Sequence, residues 1–154
     1  REMTKVTDPY AAAPTLMKQW TATGFAVEKS LDKTLVELVK IRSSILNGCA
    51  NCINMHTVDA RAHGETEQRI YLLAAWHEAP VYTDRERAAL AWTDALTGMS
   101  EGHTQKAAKE ALEAHFTPEE QVNLTLLINI INGWNRIAVG FDLWYEGGVL
   151  VKAA

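Results

Sequence analysis

Helix start and stop signals recur along the whole chain, and no strand pattern competes with them. Thr83-Asp84-Arg85-Glu86 fits a capping box, in which a hydroxyl and a carboxylate satisfy each other's backbone N–H groups. Thr117-Pro118-Glu119-Glu120 fits a second, with proline at the first helical position, where a missing N–H costs nothing. Asn47-Gly48 and Gly64 read as helix stops, and Gly102 falls in a loop before Thr104. No β-branched alternating run of strand length stands clear of its surroundings. These signals predict helices near 14–29 (weakened at Gly24), 32–46, 49–63, 66–78, 84–97, 104–115 and 118–141. The last, "QVNLTLLINIINGWNRIAVGF", is long and apolar. It is expected to be the central element of the core and to kink near Gly133. The connections are short, so sequential helices should pack antiparallel. The fold class is all-α: one domain over residues 1–154, a bundle of about six to seven helices.

Composition narrows the function. A chain of 154 residues, 47% apolar and 22% charged, can bury one sizeable core. Net charge is −4 with no basic block, so neither nucleic acid nor an anionic membrane is an expected partner. No apolar run approaches the ~20 residues that span a bilayer. The opening "REMTKVTDPYAAAP" lacks the apolar stretch of a secretory signal, and a cytoplasmic location is expected. Two cysteines are too few for a disulfide framework. In a reducing compartment such a pair reads as catalytic, redox-active or metal-binding.

Both cysteines lie in "NGCANCINMH". If Gly48 ends one helix, Cys49 opens the next, and Cys49, Cys52, Ile53, His56, Ala60 and His63 share one stripe. A C-x-x-C on a first helical turn sits near unpaired N–H groups and the positive helix end, which favours thiolate over thiol. His56 lies one turn beyond Cys52, within reach of its sulfur directly or through a water. Glu37 precedes Gly48 by roughly 16 Å of helix and His56 follows it by roughly 12 Å, so antiparallel helices would bring them within about a turn. Periodicity nonetheless puts Glu37 at the edge of its helix's apolar arc and makes it a surface residue. Arg42 falls inside that arc and reads as a buried, paired structural arginine. A zinc site is the rival, with Cys49, Cys52 and His56 as ligands and Glu37 or water as the fourth. No second Cys/His cluster exists to complete a structural zinc site. His63, His77, His103 and His115 form no ligand spacing and read as surface or structural. Trp20, Trp76, Trp92, Trp134 and Trp144 read as core rather than as a stacking platform.

Glu37, then Cys49 twelve positions on, then Cys52 and His56, matches E-x11-C-x-x-C-x3-H. This signature resembles that of AhpD-like alkylhydroperoxidases of the carboxymuconolactone decarboxylase superfamily. The likeness is strong over residues 31–97, and "NGWNRIAVGF" resembles the family's closing helix. The resemblance implies an all-helical fold, a homotrimer or homohexamer, and a thiol peroxidase with no cofactor or metal. It implies that Cys52 attacks a small hydroperoxide, that Cys49 resolves the sulfenic acid to a disulfide, and that His56 and Glu37 relay the proton. Glu37 thereby moves from the surface to the site. A protein or small-thiol reductant would close the cycle. The family's best-known hydroperoxidase carries histidine immediately before the second cysteine; here Asn51 stands there, and it cannot move a proton as histidine does. The decarboxylase branch generally lacks the C-x-x-C pair, which argues against lactone decarboxylation. Two other readings stay open: a protein thiol–disulfide oxidoreductase, and a non-enzymatic redox-sensing or metal-binding module.

Overall fold

The computed structural model describes residues 6–102 and 105–151. Within them the chain forms eight α-helices and one two-residue-stranded hairpin. The helices are α1 (Pro9–Ala12), α2 (Pro14–Lys29), α3 (Lys33–Asn47), α4 (Ala50–Ala62), α5 (Glu67–Leu72), α6 (Asp84–Thr97), α7 (Gln105–His115) and α8 (Pro118–Gly140). The strands are β1 (Tyr145–Glu146) and β2 (Val149–Leu150), paired antiparallel with Tyr145 opposite Leu150. No helix among the described residues is long and apolar enough to cross a membrane. His103 and Thr104, predicted as a surface residue and a helix start, lie outside the described residues.

The predicted caps act as expected, with one difference. Thr83 and Glu86 form a complete capping box. Thr117 accepts the Glu120 N–H, but the Glu120 carboxylate turns to Arg85 and to the Thr117 hydroxyl instead of the backbone. Gly48 ends α3 at φ 65°, left-handed backbone that a β-carbon would strain. Helix 66–78 is shorter than predicted, because a 3-10 turn over Leu73–Ala75 follows α5. The carbonyls beyond that turn are not left unpaired: the Arg87 guanidinium donates to Trp76, His77 and Ala79.

The central element is α3, not α8. Every residue from Leu35 to Ser44 is buried, and α3 packs against α2, α4, α6 and α8. By contrast, α8 leaves Val122, Leu126 and Val139 exposed. Half of the buried α3 segment is polar, and each polar group has a tertiary reason to be there. Arg42 is the buried, paired arginine expected: Nε and one Nη donate to the two Asp94 oxygens at 2.8 and 3.1 Å, and the other Nη donates to the Leu73 carbonyl. Ser43 and Ser44 join Asn132 and Asn135 of α8, and Asn47 donates to both asparagine oxygens at 2.9 Å. This buried network clamps the last turn of α3, and so fixes where the next residue pair, Gly48-Cys49, can start α4.

No break occurs at Gly133; α8 runs unbroken through it. The glycine serves close packing. A β-carbon there would lie 2.5 Å from Cζ2 of Trp20. Gly133→Ala is therefore expected to be destabilising. Overpacking costs about 1–3 kcal/mol and the gain in helix propensity returns at most about 1 kcal/mol. A urea midpoint at or above that of the wild type, with unchanged slope, would refute this. Of the five tryptophans, Trp76 is buried, Trp20, Trp92 and Trp134 are half-buried, and Trp144 is exposed, so the core reading fails for Trp144.

Candidate active site

Cys49 is the N-cap of α4 and not its first residue. Its N–H donates to the Ser44 carbonyl, and its sulfur accepts the Cys52 N–H at 3.2 Å. One turn on, Cys52 faces back toward it. Their Cα atoms are 5.3 Å apart and the two sulfurs are joined as a disulfide. In this form the sulfurs are not available to the zinc set weighed above. Both residues are buried, at 1% and 4% exposure, in a small cluster with Ala138 and Leu143 that Tyr145 and Leu150 of the hairpin cover.

The two cysteines differ in what they face. A cavity of about 870 Å³ opens beside α4, and Cys52, not Cys49, lines it. His56 shares the lining. Much of the remaining wall is apolar or aromatic, from Phe25, Met55, Val58, Trp134, Ile137 and Tyr145. Lys33, Lys40, Glu28, Asp59 and Glu146 supply its charge.

Glu37 is buried at 2% exposure, which overturns the surface placement that periodicity gave it. A helix buried on every side has no polar face for periodicity to find. Its carboxylate stands 3.6 Å, Oε2 to Nδ1, from His56. That is longer than a hydrogen bond, and both atoms are buried with no hydrogen-bond partner. The other oxygen, Oε1, accepts from Lys33 Nζ at 2.8 Å and lies 3.9 Å from Lys40 Nζ. Burial pushes the Glu37 carboxyl up, but His56, Lys40 and Lys33 together outweigh it and hold the group down at about 2. The carboxylate is thus charged at any working pH and stands behind His56 as a fixed anion.

The sign of this shift has a consequence for stability. A folded-state value below the ordinary 4.5 adds stability that is present above 4.5 and is lost as pH falls toward 2. Glu37→Gln removes that group, so the stability gap between wild type and variant is expected to shrink as pH drops from 4.5 to 2. Urea unfolding of both proteins across that window checks it, and a gap that stays constant or widens would contradict it.

The structure thus brings Cys49, Cys52, His56 and Glu37 together, and it leaves His63, His77 and His115 exposed and apart. Sequence reasoning missed four nearby charges. Lys33 and Lys40 flank Glu37 at i−4 and i+3, a spacing that was readable. Lys40 is itself buried and paired with Glu28 of α2, which only the tertiary fold reveals. Asp59 lies one turn after His56, so close that an oxygen of each carboxylate and a histidine nitrogen fall within 4.8 Å of one another. Asn51, the residue in place of histidine, has a different task. Its Oδ1 accepts the Tyr145 N–H at 2.8 Å and so ties the C-terminal hairpin over the cysteine pair.

The chain and its fold have counterparts among known proteins. The model of the carboxymuconolactone decarboxylase family matches residues 14–95, more than half of the chain. The uncharacterized protein YdfG of Bacillus subtilis is 44% identical over 115 residues, 75% of this chain and 78% of its own. Among solved structures, ATU0492 from Agrobacterium tumefaciens superposes with a TM-score of 0.85 at 44% identity, over 90% of this chain and 96% of that one. It is a protein of unknown function with a suggested role in antioxidant defence as AhpD. The debrominase Bmp8 shares the fold alone: TM-score 0.78 at 18% identity, over 90% of this chain and 75% of its own. The all-helical fold, the matched residues and these relatives agree: the chain belongs to the carboxymuconolactone decarboxylase family, among its AhpD-like members.

Proposed function

We propose that this protein is a thiol peroxidase that reduces hydroperoxides through a Cys49/Cys52 dithiol–disulfide cycle. One observation carries the reading: of two cysteines within bonding reach, only Cys52 faces a cavity, and it shares that cavity with a histidine backed by a buried carboxylate. The Cys52 thiolate attacks one peroxide oxygen. An S–O bond forms, the O–O bond breaks, and the leaving alkoxide takes a proton to become the alcohol. His56, with the Glu37 carboxylate behind it, moves that proton. The Cys49 sulfur then attacks Cys52; an S–S bond forms and water leaves. A dithiol, or two thiols, returns two electrons and two protons to the pair.

Burial of both sulfurs favours small substrates over protein disulfides, which could not reach them past the hairpin. The cycle requires a reducing compartment, in keeping with a cytoplasmic location. From the family resemblance we also expect a homotrimer or homohexamer. Light scattering at micromolar concentration that finds a stable 17.1 kDa monomer would refute the assembly alone.

The test of the activity is stopped-flow oxidation of the reduced protein by a panel of hydroperoxides, with free thiols counted after one equivalent. The expected result is loss of both thiols without intermolecular dimers. Two remaining thiols, or oxidation no faster than a free thiol's, would overturn it.

A further inference from the structure

The pair of orphaned atoms behind the cavity wall has a second use. Glu37 Oε2 and His56 Nδ1 face each other at 3.6 Å, both buried, neither hydrogen-bonded. Two bonds of about 2.1 Å meeting at roughly 120° would span that gap, which is the ordinary length of a zinc–nitrogen or zinc–carboxylate bond. Asp59, exposed and one turn along α4 from His56, brings a third ligand: one ligand atom from each of the three side chains lies within 4.8 Å of the other two. Among the described residues this is the one cluster of three such side chains.

We propose that Glu37, His56 and Asp59 form a divalent-cation site, with Zn²⁺ the ion that fits. One imidazole and two carboxylates suit zinc, whereas calcium and magnesium favour oxygen alone. Three protein ligands leave a fourth position, open to the cavity that His56 and Asp59 line. The nearby ammonium groups do not forbid it. Lys33 binds the opposite oxygen, Oε1, and Lys40 is paired with Glu28. Three carboxylates (Glu28, Glu37, Asp59) against two lysines (Lys33, Lys40) leave an excess of one negative charge when His56 is neutral. If the peroxidase reading is right, the ion and the relay proton compete for the same two atoms, so bound zinc holds the relay off. The site itself does not depend on that reading.

The experiment uses the protein in its disulfide form, where no thiol can bind metal. Calorimetric titration with Zn²⁺ alone, near neutral pH in a non-chelating buffer, should find one equivalent bound by the wild type. His56→Ala should lose it. Asp59→Asn should weaken it at least about tenfold, the loss that even an outer-shell partner brings. His77→Ala should leave it unchanged, although His77 lies 3.5 Å from Asp94 and is the other histidine–carboxylate pair described. No binding by the wild type, or wild-type affinity in either His56→Ala or Asp59→Asn, overturns the proposal. Asp59 is exposed, so its variant decides the matter even where His56→Ala does not fold. No peroxide and no thiol enters this titration, so its failure and the failure of the peroxidase reading are separate results.

Discussion

Cys52→Ser is expected to abolish peroxide reduction outright, while Cys49→Ser still reacts once and stops as a sulfenic acid or mixed disulfide. Two effects compete for the assignment. Helix electrostatics favours Cys49: it caps α4 and its sulfur accepts the Cys52 N–H. That stabilisation is passive, about 1 kcal/mol at an exposed helix end and up to about 2 kcal/mol in partly buried ones. Access and proton transfer favour Cys52, which lines the cavity and has His56 one turn away. A positioned acid–base group contributes about 10²–10⁴ in rate, equivalent to roughly 3–5 kcal/mol. The second effect is the larger, and no peroxide in the cavity meets Cys49 first. The Cys49 N-cap has its use in the next step instead, where Cys49 must itself become a thiolate to resolve the sulfenic acid, and again when a reductant displaces it from the disulfide.

His56→Ala should slow the first oxidation by about 10²–10⁴ with both thiols intact. Glu37→Gln should lower the same rate by less. The amide keeps the shape but removes the anion that stands 3.6 Å behind His56. The comparison is a single-turnover rate for each reduced variant, followed with thiol titration to confirm that both cysteines begin free. A His56→Ala rate within a factor of about 3 of wild type would mean that helix electrostatics suffices, since ~1 kcal/mol amounts to only about fivefold.

Much of this site was legible because it is local. Cys49, Cys52 and His56 stand on one helix start, and their spacing alone places them on one stripe. Glu37 was legible by resemblance but not by periodicity. Its helix is buried all round, and the amphipathic rule, which sorts residues by one buried face, has nothing to sort there. The same blindness made α8 look central, because an apolar sequence is easier to see than a helix whose buried positions are half polar. Lys40 meets Glu28 across twelve residues, and Asn51 meets Tyr145 across 94, distances over which no pattern carries. The hairpin did leave a trace: Gly147 and Gly148, both at positive φ, are a two-residue turn signal. Strands of two residues are too short to raise it above the background. Asp8-Pro9 likewise marks the start of α1, a cap and a first-turn proline, but the helix ends after four residues at the Ala13-Pro14 break.

Whether Cys52 is the attacking sulfur is decided by dimedone trapping during single-turnover oxidation of the two single-cysteine proteins. The expected result is a dimedone adduct on Cys52 in the reduced Cys49→Ser protein, formed at close to the wild-type rate of first oxidation, and none at that rate in Cys52→Ser. A dimedone adduct on Cys49 in the Cys52→Ser protein, formed at the wild-type rate, would contradict it and reverse the roles of the two cysteines.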